Sequence, residues 1–230
     1  MPDNLTELIN ETKKVCILAT PTSGTHYIAK LLQNYGLKVL HEQMGEDGIS
    51  DWRTAYFVSD HIYDIKNTLL DFYYWKRFKF ETKIRLVRNP WNVLSTWVYW
   101  LNNINTDGIA KVHVNMGLVK ICKEAFNIYE NNNYICAASN FLKWQELIDS
   151  CNYDVFFNVE NLSLSKKELT TFLLNKNLIN IKYSEENLIV KCEDKNESQY
   201  KKRITENEFK DNIPTDIYNN IKNYAIKYNY

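Results

Sequence analysis

Proline and glycine are scarce, 4 and 6 in 230 residues, and nowhere do they gather with serine into a linker. With no internal repeat and no long block of one charge, the chain offers no place for a domain boundary, and a single domain over residues 1–230 is expected. An excess of either charge is also missing: 28 Lys+Arg against 28 Asp+Glu give a formal net charge of +0. That balance excludes a general pull toward nucleic acid or an anionic membrane, so neither is expected as a partner and any anion site must be local. No apolar stretch approaches bilayer length, and Met1-Pro2-Asp3-Asn4 is not a basic segment leading into an apolar run, so a cytoplasmic location is expected. The five cysteines (Cys16, Cys122, Cys136, Cys151 and Cys192) form no CxxC pair. Scattered through apolar stretches, they point to buried thiols in a reducing compartment. Only four histidines are present, and no His/Cys/Asp cluster has ligand spacing, so no metal is expected.

What is present begins with Val15-Cys16-Ile17-Leu18-Ala19, a short continuous apolar run suited to a strand buried on both faces of a parallel sheet. A Pro/Ser/Gly/Thr turn follows. Tyr27, Ile28, Leu31, Leu32 and Tyr35 then mark one face of a helix that Gly36 is placed to end. Leu37 to Leu40 reads as the next strand, completing a βαβ unit. Tyr56 to Ser59 and Ile84 to Val87 read as further strands. After the second, Asn89 is a good N-cap and Pro90 a good first helical residue for an apolar helix from Trp91 to Leu101, and an anion could sit at its start. Helices around Leu118 to Tyr129 and Asn140 to Ile148 precede an expected strand, Asp154 to Val159. Ser165-Lys166-Lys167-Glu168 and Thr205-Glu206-Asn207-Glu208 have capping-box spacing ahead of helices.

A strand that ends in a glycine-containing turn and opens a helix aims backbone N–H groups at one point, where the helix dipole favours negative charge. Thr20-Pro21-Thr22-Ser23-Gly24-Thr25-His26 is such a turn. It lacks the first glycine and the lysine of a Walker A loop, G-x-x-x-x-G-K-[ST], which disfavours an ATPase or nucleotide kinase. Taken alone, the turn is also compatible with a tight βα connection that binds nothing.

Two motifs in order give a more specific reading. Thr20 to Tyr27 resembles the 5′-phosphosulfate loop of sulfotransferases that use 3′-phosphoadenylyl sulfate (PAPS), usually written P-[KR]-S-G-T-[TS]-[WYFL]. Arg88-Asn89-Pro90-Trp91-Asn92-Val93-Leu94-Ser95-Thr96 resembles their R-[ND]-P-x-[DN]-V-x-x-S segment. The resemblance covers residues 15 to 100. It implies a single-domain, three-layer α/β fold: a central parallel sheet flanked by helices, in the P-loop NTPase-like topology of that family. It further implies PAPS as co-substrate and PAP as product. Thr22, Ser23, Gly24, Thr25 and His26 would line the 5′ side. Arg88 and the hydroxyl eight positions on, Thr96, would bind the 3′-phosphate, with Ser95 as the neighbouring alternative. Physically, an arginine grips phosphate through two parallel N–H bonds and a hydroxyl adds a further hydrogen bond.

Thr22 departs from the family pattern, standing where a Lys or Arg usually neutralises the departing oxygen. His26, Lys30 and Arg53 are the candidates to replace that cation. Transfer to an acceptor hydroxyl or amine also needs a base. His61 follows the Tyr56 to Ser59 segment, where cytosolic family members place their histidine; His41-Glu42 follows the second strand and offers Glu42, or His41, instead. The aromatic groups Phe72 to Trp75 and Trp97 to Trp100 suit either an apolar acceptor pocket or the core, and Lys201-Lys202-Arg203 either a loop over the 3′-phosphate or a solvated turn. The implied function is transfer of a sulfuryl group from PAPS to a small-molecule or glycan acceptor. The alternative is an inert PAP- or nucleotide-binding module that kept the fold.

Overall fold

The computed structural model of the chain describes residues 11–58, 78–105, 108, 126–180 and 204–230. Five strands form one parallel sheet: β1 (Glu11–Leu18), β2 (Val39–His41), β3 (Gly48–Ser50), β4 (Phe78–Val87) and β5 (Val155–Asn158), in the order β2-β3-β1-β4-β5. β1 and β4 sit at the centre, with Ile17 opposite Ile84 and Leu18 opposite Arg85. Their side chains alternate between two buried faces, as the unbroken apolar run in β1 requires.

On one face Val15, Ile17, Ile84 and Leu86 pack against Ile28, Leu31 and Leu32 of α1 (Thr25–Asn34) and Leu169 and Leu173 of α5 (Leu162–Asn175). On the other, Cys16 and Leu18 meet Trp144, Leu147 and Ile148 of α4 (Asn133–Asp149) and Ala55 of the short α2 (Thr54–Val58). Beyond Val87 that side continues into Trp97 of α3 (Pro90–Asn102), Phe141 of α4, Phe209 of α6 (Glu206–Asn212) and Ile221 and Tyr224 of α7 (Thr215–Lys227). Trp97, Trp144 and Phe141 are fully buried. Each would cost about 3–5 kcal/mol if cut to alanine. The result is a single three-layer α/β domain with helices on both faces of a parallel sheet, as expected.

Several local expectations hold. Asn89 caps α3 through its side-chain oxygen, which accepts from Trp91 N at 3.0 Å, with Pro90 at the first turn. Thr205 caps α6 by accepting from Glu208 N at 3.2 Å. Gly36 follows α1 at a φ of 86°.

Others are corrected. Tyr56 to Val58 is helical rather than extended. Asp51 explains why: its carboxylate accepts from Arg53 N at 2.8 Å and its carbonyl from Thr54 N at 3.1 Å, so the backbone is already turning before the apolar residues arrive. Ser165 to Glu168 lies inside α5, which begins at Leu162 directly after a 3₁₀ turn over Val159–Asn161. The helix expected to reach Tyr129 has stopped before it, with Asn127 at a φ of 53°. β3 was not anticipated. It inserts between β1 and β2 because Gly48 has no side chain: a Cβ there would lie 1.7 Å from Val15 O. The segments Phe72 to Trp75, Leu118 to Ala125 and Lys201 to Arg203 lie outside the described residues, as does His61.

Candidate functional site

The carboxyl ends of β1, β2, β3 and β4 bring the two motifs and the His41-Glu42 pair to one edge of the sheet, where parallel α/β folds place ligands. At the end of β1 the chain turns over Thr20 to Ser23. Ser23 N donates to Thr20 O at 3.1 Å, and the two hydroxyls are hydrogen-bonded to each other. With Pro21 at the second position and Thr22 at a φ of 69°, this is the type II arrangement, which normally asks for glycine where Thr22 stands. The hydroxyl of Thr22 is buried without a hydrogen-bond partner.

Gly24 then starts α1 at a φ of 80° and offers no side-chain cap, so no cap side chain covers the amides of the first turn. A Cβ on Gly24 would lie 3.0 Å from Val159 Cγ1, so the loop rests against the end of β5 as a bare backbone.

Arg88 joins the second motif to this loop: its Nη1 donates to the carbonyl of Thr22, 66 residues away in sequence. Its Nε lies 3.7 Å from Glu160 Oε1. Glu160 is a residue that no local pattern singled out. Its carboxylate also accepts from Asn89 N at 3.1 and 3.3 Å, from Asn92 Nδ2 at 3.3 Å and from Tyr230 Oη at 2.6 Å. Thr96, one face of α3 further on, turns its hydroxyl to Asn92 O at 3.0 Å. Ser95 is buried and accepts from Ile204 N at 2.8 Å, tying α3 to the segment that enters α6.

On the other flank of the loop, Ser50 Oγ donates to Thr25 O at 2.6 Å, and Thr25 Oγ1 lies 3.1 Å from His41 Nε2. His41 stands opposite Ser50 in the β2–β3 register. Its ring meets the exposed His26 edge-on at a centroid distance of 5.1 Å. Burial lowers the His41 pKa below the ordinary imidazole value; the Glu42 carboxylate, 4.0 Å away, opposes this and His26 assists it. His41 is therefore held toward the neutral form that can accept a proton.

Of the three candidate replacement cations, Lys30 is exposed on α1 and His26 is exposed at its start. Arg53 is held by the fully buried Asp51, its Nε donating at 2.9 and 3.0 Å to the two carboxylate oxygens. Burial raises the Asp51 pKa, with Arg53 working against the shift. Among the described residues no cluster of three or more His, Cys, Asp or Glu side chains could hold a metal ion, and no helix is long and apolar enough to cross a membrane. A cavity of about 390 Å³ opens beside β2, lined by Gln33, Lys38, Leu40 and Glu46 among others; no residue of the loop or of the Arg88 segment lines it.

The edge thus holds a bare-backbone loop at a helix start, an arginine against that loop, and a neutral imidazole on a loop hydroxyl. These groups lie together at the carboxyl edge of a parallel α/β sheet. No family model matches the sequence, and no curated protein matches it. Among solved structures, it is similar to that of a mouse sulfotransferase, SULT7A1, complexed with PAP. The identity is 15%, the overlap covers 89% of this chain and 68% of the other, and the TM-score is 0.36. At that level neither family membership nor ligand passes from one protein to the other.

Proposed function

We propose that this chain binds PAPS at the Pro21 to His26 loop and at Arg88, and transfers its sulfuryl group to a hydroxyl or amine of a small-molecule or glycan acceptor. The observation that carries this reading is the convergence of Arg88 on Thr22: two segments that resemble the two PAPS motifs meet, side chain to backbone, at the carboxyl edge of the sheet. The uncapped first turn of α1 suits the 5′ side of the nucleotide, and Arg88 with the start of α3 suits the 3′-phosphate.

PAPS supplies the activated sulfuryl group. The acceptor oxygen or nitrogen forms a bond to sulfur as the bond from sulfur to the 5′-phosphate oxygen breaks, and PAP leaves with the electron pair. His41 takes the acceptor proton, oriented by Thr25, with Glu42 as the neighbouring carboxylate. Glu42 and His61 are the other base candidates, and His61 lies outside the described residues. The cation that family members place at Thr22 is supplied in this reading by Arg53, whose fork Asp51 holds in place, with His26 and Lys30 as the exposed alternatives.

One observation favours a second reading. Thr22 leaves the loop without its usual cation, and Glu160 already sits against Arg88, as an inert PAP-binding module could tolerate. Calorimetric titration with PAP, ADP and ATP tests nucleotide choice: PAP binds best and loses most of its affinity in Arg88→Ala. Equal binding of PAP and ADP sinks the 3′-phosphate assignment. An acceptor survey with PAPS then separates enzyme from module.

A further inference from the structure

The turn Val159–Asn161 lies between the two motifs. Val159 touches the loop at Gly24, and the next residue, Glu160, turns its carboxylate onto the other motif. Three members of the Arg88 segment face that carboxylate: Arg88 through Nε at 3.7 Å, Asn89 through its backbone N–H at 3.1 Å and Asn92 through Nδ2 at 3.3 Å. Tyr230 also donates to it at 2.6 Å, its hydroxyl lying 3.3 Å from Val87 O as well. A guanidinium and the start of a 13-residue helix make an anion site, and here the anion is the protein's own.

We infer that Glu160 is an internal anion which occupies the 3′-phosphate subsite and must be displaced for that phosphate to bind, making it a gate that the 3′-phosphate alone has to open. The inference rests on the proposed PAPS reading, because it assumes that the 3′-phosphate goes to Arg88. A phosphate carries more charge than a carboxylate and more acceptor oxygens, so it can win the site. It does so only against the carboxylate's contacts, and with repulsion from a carboxylate that has not moved away. A nucleotide without a 3′-phosphate does not meet this competition. Glu160 therefore narrows the advantage of PAP over adenosine 5′-monophosphate (AMP), two ligands that differ by that phosphate alone.

The test is calorimetric titration of PAP and AMP against wild type, Glu160→Gln, Tyr230→Phe and Arg88→Ala, with each protein's melting temperature measured alongside. Glu160→Gln keeps the shape and removes the charge, and PAP should bind it roughly tenfold tighter or more, the scale of one displaced charge-assisted contact, while AMP changes little. Tyr230→Phe loosens the carboxylate without removing it and should tighten PAP in the same direction by less. It serves in place of Glu160→Gln should that variant fail to fold. PAP binding that depends on Arg88 but does not tighten in either variant overturns the gate and leaves the PAPS reading standing. Equal tightening of PAP and AMP also overturns the gate, since a general loosening of the fold would produce it. PAP binding no better than AMP to every variant overturns the PAPS reading and the gate with it.

Discussion

His41 Nε2 stands 3.1 Å from Thr25 Oγ1, which links the end of β2 to the residue that opens α1 after the Thr20 to Gly24 loop. Through that contact a group able to take a proton is anchored to the groups that would hold the donor. Ser50 reinforces it by donating to Thr25 O at 2.6 Å from the adjacent strand.

A pH profile reads this arrangement directly. Burial holds the His41 pKa below its ordinary value of 6.5, so the neutral base persists into mildly acid solution and the acid limb of kcat/KM lies below pH 6.5. His41→Gln should cost roughly 100-fold or more in kcat and remove that limb. An unchanged limb assigns the base to another group. The same shift affects stability: the unfolded chain binds the proton first, so this contribution is full above pH 6.5 and is lost as pH falls through the folded value.

Thr22 makes two opposite predictions at one position. Its φ of 69° is costly for a β-branched residue, and Thr22→Gly should raise stability by about 1 kcal/mol in chemical denaturation. Thr22→Lys restores the loop cation that resembling proteins carry and should raise kcat by roughly 100-fold if the transition state lacks that charge. A kcat that does not rise means that another cation, with Arg53, His26 and Lys30 as the candidates, already supplies the charge; a Thr22→Lys variant with no turnover at all favours the inert module.

Gly48→Ala should be severely destabilising, by about 3 kcal/mol or more, because its Cβ would meet Val15 O at 1.7 Å and push β3 away from β1. Gly108→Ala is the control, since among the described residues nothing lies within 4 Å of an added Cβ, and it should not destabilise measurably. Similar denaturation midpoints for the two variants contradict the close β1–β3 approach.

Arg85 is fully buried in β4, with Asp149 and Gln145 on its guanidinium and Tyr228 and Tyr153 rings 4.8 and 5.1 Å away. Asp149 is the carboxylate paired with it among the described residues. Asp149→Ala takes the counter-ion from a buried guanidinium and should cost about 1–3 kcal/mol, the Asp149 side chain being 44% exposed, whereas Arg85→Met keeps the volume, removes the charge and should cost less. Urea denaturation of both variants checks the order, and the reverse order would show that packing of the arginine outweighs its charge.

The sequence by itself determined the features that are local. The unbroken run from Val15 to Leu18 marked a strand buried on both faces, the spacing from Ile28 to Tyr35 marked the inner face of α1, and Asn89-Pro90 marked the start of α3. These follow from periodicity and capping within a few residues, and they were enough to place both motif segments at strand ends. Tertiary structure alone decided which distant groups share that edge. Arg88 meets Thr22 across 66 residues and Glu160 meets Asn89 across 71, pairings that depend on the sheet order and leave no periodic trace. It also decided that the residues after Asp51 turn into a helix, because a short apolar run suits strand and helix alike until its flanking hydrogen bonds are known. The loop and the arginine could thus be named from sequence, while the carboxylate that faces the arginine could not.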